Sequence, residues 1–224
     1  MTERKGRLIR SAATLGPQLK NTATRPMNQF LPAAALLLLA GCSKVAEAIA
    51  DRATTDAPAT DAALEYLIEA GAHSANQNAF RSVSLTEQKF TVRFDSSAIY
   101  TTRSAENQYD INKLWGFSDN GGNHHQFSAR FGWRWSDGAL RLFGYVYNGG
   151  RVSSAELGAI AIGADHSCSI RTTARHYVFS VNGRADSLPR TAATARAEGY
   201  QLYPYFGGDE PAPHRVRIWI RETK

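Results

Sequence analysis

The sequence predicts an all-β fold, an antiparallel β-sandwich of the jelly-roll kind, and three observations support it. From residue 80 onward, about ten short runs alternate apolar and polar side chains, as strands with one buried face do. Turn signals separate the runs, and the clearest are Asp137-Gly138 and Asn182-Gly183, because both central residues of a type I′ turn need positive φ. No helical pattern follows residue 71. Many short strands joined by tight turns are typical of a sandwich or jelly roll.

A hairpin over residues 128–148 is the strongest strand signal in the chain. If Asp137-Gly138 is the two-residue loop, Ser136 lies opposite Ala139 and the register of the whole hairpin follows. Residues that face each other across a ladder share one side of the sheet. One side is then apolar and belongs to the core, and it carries Ala129, Phe131, Trp133, Trp135, Leu140, Leu142 and Val146.

The opposite side of this hairpin is rich in arginine and aromatic residues, which makes it the best candidate site. Arginine can clamp a carboxylate through two parallel hydrogen bonds, and tyrosine offers a flat ring and a hydroxyl that suit a sugar. Tyrosines on the predicted strand of residues 199–206 can extend the surface. The candidate ligand-binding residues are Arg130, Arg134, Arg141, Tyr145, Tyr147, Tyr203 and Tyr205. The alternative is a solvated outer sheet whose arginines pair with carboxylates of neighbouring strands.

The sequence divides into four segments, and the sandwich is the last of them. Residues 1–41 read as a signal peptide, because residues 30–40 form an apolar run that is too short to span a bilayer. Residues 42–60 are rich in Ala, Thr and Asp and predict a flexible tether. Residues 61–79 predict a short amphipathic helix, over 61–70, followed by a loop. Residues 80–224 form the sandwich.

The net charge excludes a nucleic-acid partner. Residues 1–42 hold six basic residues and one acidic residue, which account for +5 of the formal net charge of +6 and leave +1 for residues 43–224. The electrostatic footprint of a nucleic-acid binder is therefore missing after the signal peptide, and no recognition motif of that class is present.

The end of the apolar run, Leu39-Ala40-Gly41-Cys42, resembles the bacterial lipobox. The resemblance implies cleavage before Cys42, a diacylglycerol on its thiol, an acylated amino terminus and hence a membrane partner in the cell envelope. Ser43 follows the anchor, and by resemblance to the sorting rule of some Gram-negative lineages it implies the outer membrane. An ordinary secretory signal that contains a cysteine is the alternative. The start codon, Met1 or Met27, stays open.

The second half resembles the concanavalin A-like sandwich superfamily, which includes lectins, glucanases and polysaccharide lyases. The resemblance rests on the run 177–184, which reads Y-V-F-S-V-N-G-R, and on the alternating closing strand at 216–220. The Glu-x-Asp-x-x-Glu run of the glucanases and the Gln-x-His strand of the alginate lyases are absent. Together with the lipobox and the arginine-rich face of the hairpin, the resemblance implies an envelope protein that binds carbohydrate, with an anionic polysaccharide as the candidate ligand. A lyase on the same fold, or a structural lipoprotein without a small-molecule site, are the alternatives.

No cofactor and no metal site is predicted. The histidines lack zinc-ligand spacing, and His125 and His214 are available as general bases if the protein is a lyase. Two oxygen-rich loops, 119–123 and 207–210, leave calcium as an open alternative. Cys168 is predicted to be a small buried residue.

Overall fold

A computed structural model describes residues 62–223 of the chain. Two single-turn 3-10 helices, Ser96–Ala98 and Asn107–Tyr109, interrupt an otherwise all-β arrangement. The strands are β1 (Leu64–Ile68), β2 (Ser82–Leu85), β3 (Glu87–Phe94), β4 (Asn112–Ser118), β5 (Phe127–Ser136), β6 (Ala139–Asn148), β7 (Arg151–Ile160), β8 (His166–Thr172), β9 (His176–Val181), β10 (Arg184–Pro189), β11 (Ala197–Leu202) and β12 (Val216–Thr223).

The strands form two antiparallel sheets of six strands each. Sheet I has the order β1-β12-β3-β8-β9-β10, and sheet II has the order β2-β11-β4-β5-β6-β7. Aromatic rings from both sheets meet between them. Phe90 of sheet I, for example, packs edge-on against Phe131 of sheet II at 5.4 Å between centroids. The predicted fold class, an antiparallel sandwich, is confirmed.

The hairpin of β5 and β6 has the predicted register. Ser136 pairs with Ala139 and Arg134 pairs with Arg141. Asp137 and Gly138 have φ values of 55° and 70°, as a type I′ turn requires. Trp133 is fully buried, while Trp135 is partly buried and packs against the edge of the core. The apolar side of the hairpin therefore faces sheet I, and the arginine side faces away from it.

The predicted helix at residues 61–70 is wrong, because this segment contains strand β1. Leu64–Ile68 pairs with β12 in an antiparallel ladder, with Tyr66 opposite Ile218. Tyr66 and Ile68 point into the core with period two, whereas Leu64 is exposed. A five-residue segment has little helical stability of its own, so pairing with the free edge of β12 decides its conformation. Sheet I thus begins before residue 80.

The signal peptide, the lipobox and the tether lie outside the described residues. Over residues 62–223, the structure contains no helix that is long and apolar enough to cross a membrane. Cys168 is buried on β8 with a free thiol, as predicted, and burial raises the pKa of that thiol to about 12.

Candidate functional site

Arg130 is the centre of the candidate site, on the side of sheet II that faces away from the core. It lies on β5, opposite Tyr145 of β6 and Gly116 of β4. The residue is only 8% exposed, and the described residues give its Nε atom no hydrogen-bond partner. No carboxylate among them forms an ion pair with it. Burial lowers the pKa of its guanidinium to about 10, which still leaves it charged at neutral pH.

Lys113 brings a second positive charge close to Arg130. It lies on β4 opposite Gly132, and its ammonium stands 4.4 Å from the centroid of the Tyr145 ring. Its Nζ donates to the carbonyl oxygen of Ile111 at 2.6 Å. Burial, and then the charge of Arg130, lower the pKa of Lys113 to about 8. The Asp110 carboxylate opposes part of this lowering of the pKa but forms no ion pair with Lys113. Two cations held close together, neither in an ion pair with a described residue, form an electrostatic site for an anion.

Four tyrosines surround these cations. Tyr145 and Tyr147 of β6 lie with ring centroids 5.9 Å apart, and burial, followed by the nearby Tyr147, raises the pKa of Tyr145 to about 12. Tyr205 exchanges backbone hydrogen bonds with Lys113 at 2.8 and 3.0 Å. Tyr200 is the fourth, and the hydroxyls of all four lie close enough to Arg130 to oppose part of the effect of burial on its pKa.

The loop between β4 and β5 adds two histidines. His124 contacts the Tyr200 hydroxyl twice, through its backbone N–H at 3.1 Å and through its Nδ1 atom at 2.9 Å. Burial, and then the charges of Arg130 and His125, lower the pKa of His124 to about 4, so its ring is neutral at pH 7. The ring of His125 lies 5.3 Å from that of Tyr147. We call this assembly the Arg130 surface; its members are Lys113, His124, His125, Arg130, Tyr145, Tyr147, Tyr200 and Tyr205.

Two of the predicted arginines have partners elsewhere. Arg141 pairs with Glu156 at 2.7 Å and with Asp137 at 3.6 Å. Arg134 donates to the backbone oxygen of Tyr109 at 2.7 Å, and its guanidinium stacks 4.7 Å from the Phe143 ring. The two carboxylates offset the repulsion expected between these opposed arginines, as the solvated-sheet alternative anticipated for this end of the hairpin.

Tyr203 also lies away from Arg130. Strand β11 ends at Leu202, so the predicted alternation does not continue through Tyr203 and Tyr205. Tyr203 packs against Trp115 with centroids 5.3 Å apart, and its hydroxyl donates to the carbonyl oxygen of Ala79 at 2.7 Å. Of the seven predicted residues, the structure therefore brings together Arg130, Tyr145, Tyr147 and Tyr205.

Sequence reasoning did not select Lys113, His124 or Tyr200. The register is irregular between Lys113 and Gly116, and the two residues inside this β-bulge, Leu114 and Trp115, are both buried. A strict period of two would put Lys113 on the core face with Trp115, whereas the bulge places it on the face of Arg130. Tyr200 is out of phase with the alternation of Gln201, Tyr203 and Tyr205 from which the candidate residues were chosen. The position of His124 depends on the conformation of the loop between β4 and β5. His214, a predicted candidate base, instead bonds the carbonyl oxygen of Ser97.

The oxygen-rich loops have structural partners. Asp119 accepts from Arg190 Nε at 2.6 Å and from the Tyr177 hydroxyl at 2.7 Å, in a buried cluster that keeps the pKa of the Asp119 carboxyl low despite its burial. Glu210 accepts from the backbone N–H groups of Arg103 and Ser104. Within residues 62–223, no group of three His, Cys, Asp or Glu side chains is placed to hold a metal ion.

No family model and no curated protein matches this chain. Solved structures do match. The alginate lyase AlyC3 is 8% identical over 72% of this chain and 74% of its own, with a TM-score of 0.50. A laminarinase catalytic domain from Thermotoga petrophila is 13% identical over 71% and 75%, at 0.46. An alginate lyase from Pseudomonas aeruginosa is 15% identical over 61% and 63%, at 0.42.

The fold is an antiparallel jelly-roll sandwich, similar to that of AlyC3. At such low identities the likeness establishes the fold alone. It agrees with the two six-stranded antiparallel sheets.

Proposed function

We propose that this protein is a lipid-anchored protein of the cell envelope and that its sandwich binds an anionic polysaccharide on the Arg130 surface. The observation that carries the proposal is the burial of Arg130 without a hydrogen bond to its Nε atom or an ion pair among the described residues. A buried charge without a partner lowers the stability of the folded state. Its presence therefore favours a functional role for Arg130. A ligand carboxylate would supply the missing partner.

The surroundings of Arg130 favour a sugar acid over a simple anion. Arg130 can hold a carboxylate with two parallel hydrogen bonds, and Lys113 adds a point charge beside it. The rings of Tyr145, Tyr147 and Tyr205 offer apolar faces with hydroxyls at their edges, which suit the mixed surface of a pyranose. The neighbour AlyC3 is named as an alginate lyase, which supports a polysaccharide as the ligand class for this fold.

The anchoring part of the proposal rests on the sequence before the described residues. Leu39-Ala40-Gly41-Cys42 has the lipobox pattern at the end of a short apolar run, and Ser43 favours the outer membrane. Several acyl chains at Cys42 would hold the sandwich at the membrane through the tether of residues 42–60.

The test is calorimetric titration of the full chain, purified in detergent, with oligomannuronates and with neutral laminarin oligosaccharides of equal length. We expect binding of the acidic series only. The substitution Arg130→Met should weaken it by about thirtyfold or more, since loss of one partner of a buried charged pair costs about 2–5 kcal/mol. Arg141→Met is the matched control, because Arg141 lies on the same side of the hairpin but pairs with Glu156. Equal binding of both series, or binding that survives Arg130→Met, would exclude this site.

A lyase is the second candidate, favoured by the contact between His124 and Tyr200 beside Arg130. In this mechanism, Arg130 and Lys113 stabilise the charge that develops when the carbon next to the uronate carboxylate loses its proton. Tyr200 takes that proton as it passes its own to the neutral His124. The electron pair forms a C=C bond, the bond to the glycosidic oxygen breaks, and Tyr145, protonated at neutral pH, gives its proton to the leaving oxygen.

The product of such a cleavage carries a C=C bond conjugated with its carboxylate, which absorbs ultraviolet light. A lyase would show rising absorbance with polymannuronate, and Tyr200→Phe would abolish that rise while leaving oligomannuronate binding measurable. Binding without any rise in absorbance would identify a binding protein instead.

A further inference from the structure

We infer that Phe80 is an outer platform of the Arg130 surface, where it stacks on a sugar ring next to the one held by Arg130. The inference rests on the proposed function and extends it from one acidic residue to an oligosaccharide. It concerns a residue that neither strand periodicity nor the charge pattern selected.

Phe80 is exposed to a degree that is unusual for phenylalanine. It is 78% exposed, in the segment that leads into β2 at the edge of sheet II. Its ring lies 5.9 Å from that of Tyr200, with 34° between the planes. Tyr200 in turn lies close to Arg130. Phe80 is therefore one ring further from the buried charge than Tyr200, at the rim of the same surface.

The backbone on both sides of Phe80 is held in place. The carbonyl oxygen of Ala79 accepts from the Tyr203 hydroxyl at 2.7 Å, and that of Arg81 accepts from the Gln201 backbone at 2.8 Å. The Arg81 side chain also bonds Glu222 at 2.7 and 2.9 Å. Anchored neighbours restrict the ring before a ligand arrives, which lowers the entropy lost on binding.

The rings that follow Phe80 form a continuous row. Successive centroids are 5.9 Å apart from Phe80 to Tyr200, 6.2 Å to His124, 4.2 Å to His125 and 5.3 Å to Tyr147. This row runs from the edge of sheet II to β6, beside Arg130. A linear oligosaccharide that places one carboxylate on Arg130 can extend along it, and Phe80, which has no hydroxyl, takes only the apolar face of a sugar.

The test compares two lengths of the same ligand, dimannuronate and hexamannuronate, by titration of the full chain. We expect Phe80→Ala to weaken hexamer binding about tenfold, equivalent to about 1.4 kcal/mol, and to leave dimer binding within about twofold. Phe80→Trp should restore hexamer affinity, because it keeps a flat apolar ring. Ile99→Ala is the control, since Ile99 is also an exposed apolar residue, at 44%, and has no ring contact with this row.

Three results would overturn the inference. Equal loss for both lengths would place Phe80 at the acidic subsite or in the fold. If Phe80→Ala weakens binding at neither length while Arg130→Met still weakens it, Phe80 is not part of the ligand site and the proposed function stands. If Phe80→Ala then also loses binding to lipid vesicles, Phe80 contacts the membrane instead. Failure of the unaltered protein to bind either length would overturn the proposed function and this extension with it.

Discussion

At Arg130, the stability of the fold and the proposed binding of an anion make opposite demands. Its guanidinium is buried beside Lys113, and neither cation has an ion-pair partner among the described residues. Arg134 and Arg141 on the same side of the hairpin show the alternative, because carboxylates or aromatic rings surround them. Sites that bind charged ligands commonly retain such unfavourable groups at a cost in folding free energy.

We therefore expect Arg130→Met to raise the free energy of unfolding by about 1–3 kcal/mol while weakening ligand binding by about thirtyfold or more, because Met fills a similar volume without a charge to desolvate. Urea unfolding followed by tryptophan fluorescence measures the change. Arg141→Met, which removes a partly exposed ion pair with Glu156, should change stability little. A less stable Arg130→Met variant would mean that Arg130 supports the fold rather than a ligand.

Lys113 gives the Arg130 surface a pH dependence. Burial lowers its pKa to about 8, so the free protein loses this charge as the pH rises through 8, whereas Arg130, with a pKa of about 10, stays charged. Affinity for oligomannuronate should accordingly be constant below pH 7 and fall between pH 7 and 9. Calorimetric titrations across this range measure it.

The conservative variant Lys113→Arg tests the cause of that fall. Arginine stays charged throughout this pH range, so its profile should be flat up to pH 9. The same decline in Lys113→Arg would assign the pH dependence to another group. An affinity that increases with pH would show that the ligand site is not cationic.

At the scale of single elements, a strand could be predicted from the sequence where its neighbouring residues determine its conformation. The β5–β6 hairpin was predicted in full register because Asp137-Gly138 fixes the turn and the alternation on both sides agrees with it. The bulge in β4 was not predictable, because it depends on close approach to another strand. A Cβ atom on Gly116 would lie 2.0 Å from the carbonyl oxygen of Ala129, so glycine is needed there.

Strand β1 shows the opposite case, in which a distant partner overrides the local pattern. Its apolar residues fit a helix or a strand equally well over five positions, and only β12, more than 140 residues later, distinguishes the two. The loss of β1 would expose both the edge of β12 and the core beneath Tyr66 and Ile68.

Ile68→Ala should lower the free energy of unfolding by about 2–5 kcal/mol, because Ile68 is 0% exposed and its loss leaves a cavity. Leu64→Ala, in the same strand but 45% exposed, should cost about 1 kcal/mol or less. Urea unfolding of both variants measures the difference. If both variants lower the free energy of unfolding equally and only slightly, β1 contributes little to the core, as expected of a helix outside the sandwich.

At the scale of the whole molecule, the Arg130 surface is assembled from parts of the chain that are far apart in sequence. β4 supplies Lys113, β5 supplies Arg130, and β11 supplies Tyr200. The sequence revealed the residues of the hairpin and Tyr205 but not Lys113 or Tyr200, because the order of strands in a sheet is set by packing over the whole domain. The same strand order places Arg141 beside Glu156 and Tyr203 against Trp115, although both residue types would suit the site.

The proposed membrane attachment is a property of the whole chain, and charge alone would not produce it. Residues 43–224 have a net charge of only +1, too little for strong attraction to an anionic bilayer. Under the proposed function, attachment depends on acyl chains at Cys42. We expect the mature protein to begin at Cys42 and to incorporate a labelled fatty acid, as intact mass and labelling in cells would show. Cys42→Ser should remove the label, whereas Cys168→Ser, at a buried thiol, should retain it. Label that persists in Cys42→Ser, or a mature terminus elsewhere, would contradict the lipobox and leave an ordinary secretory signal.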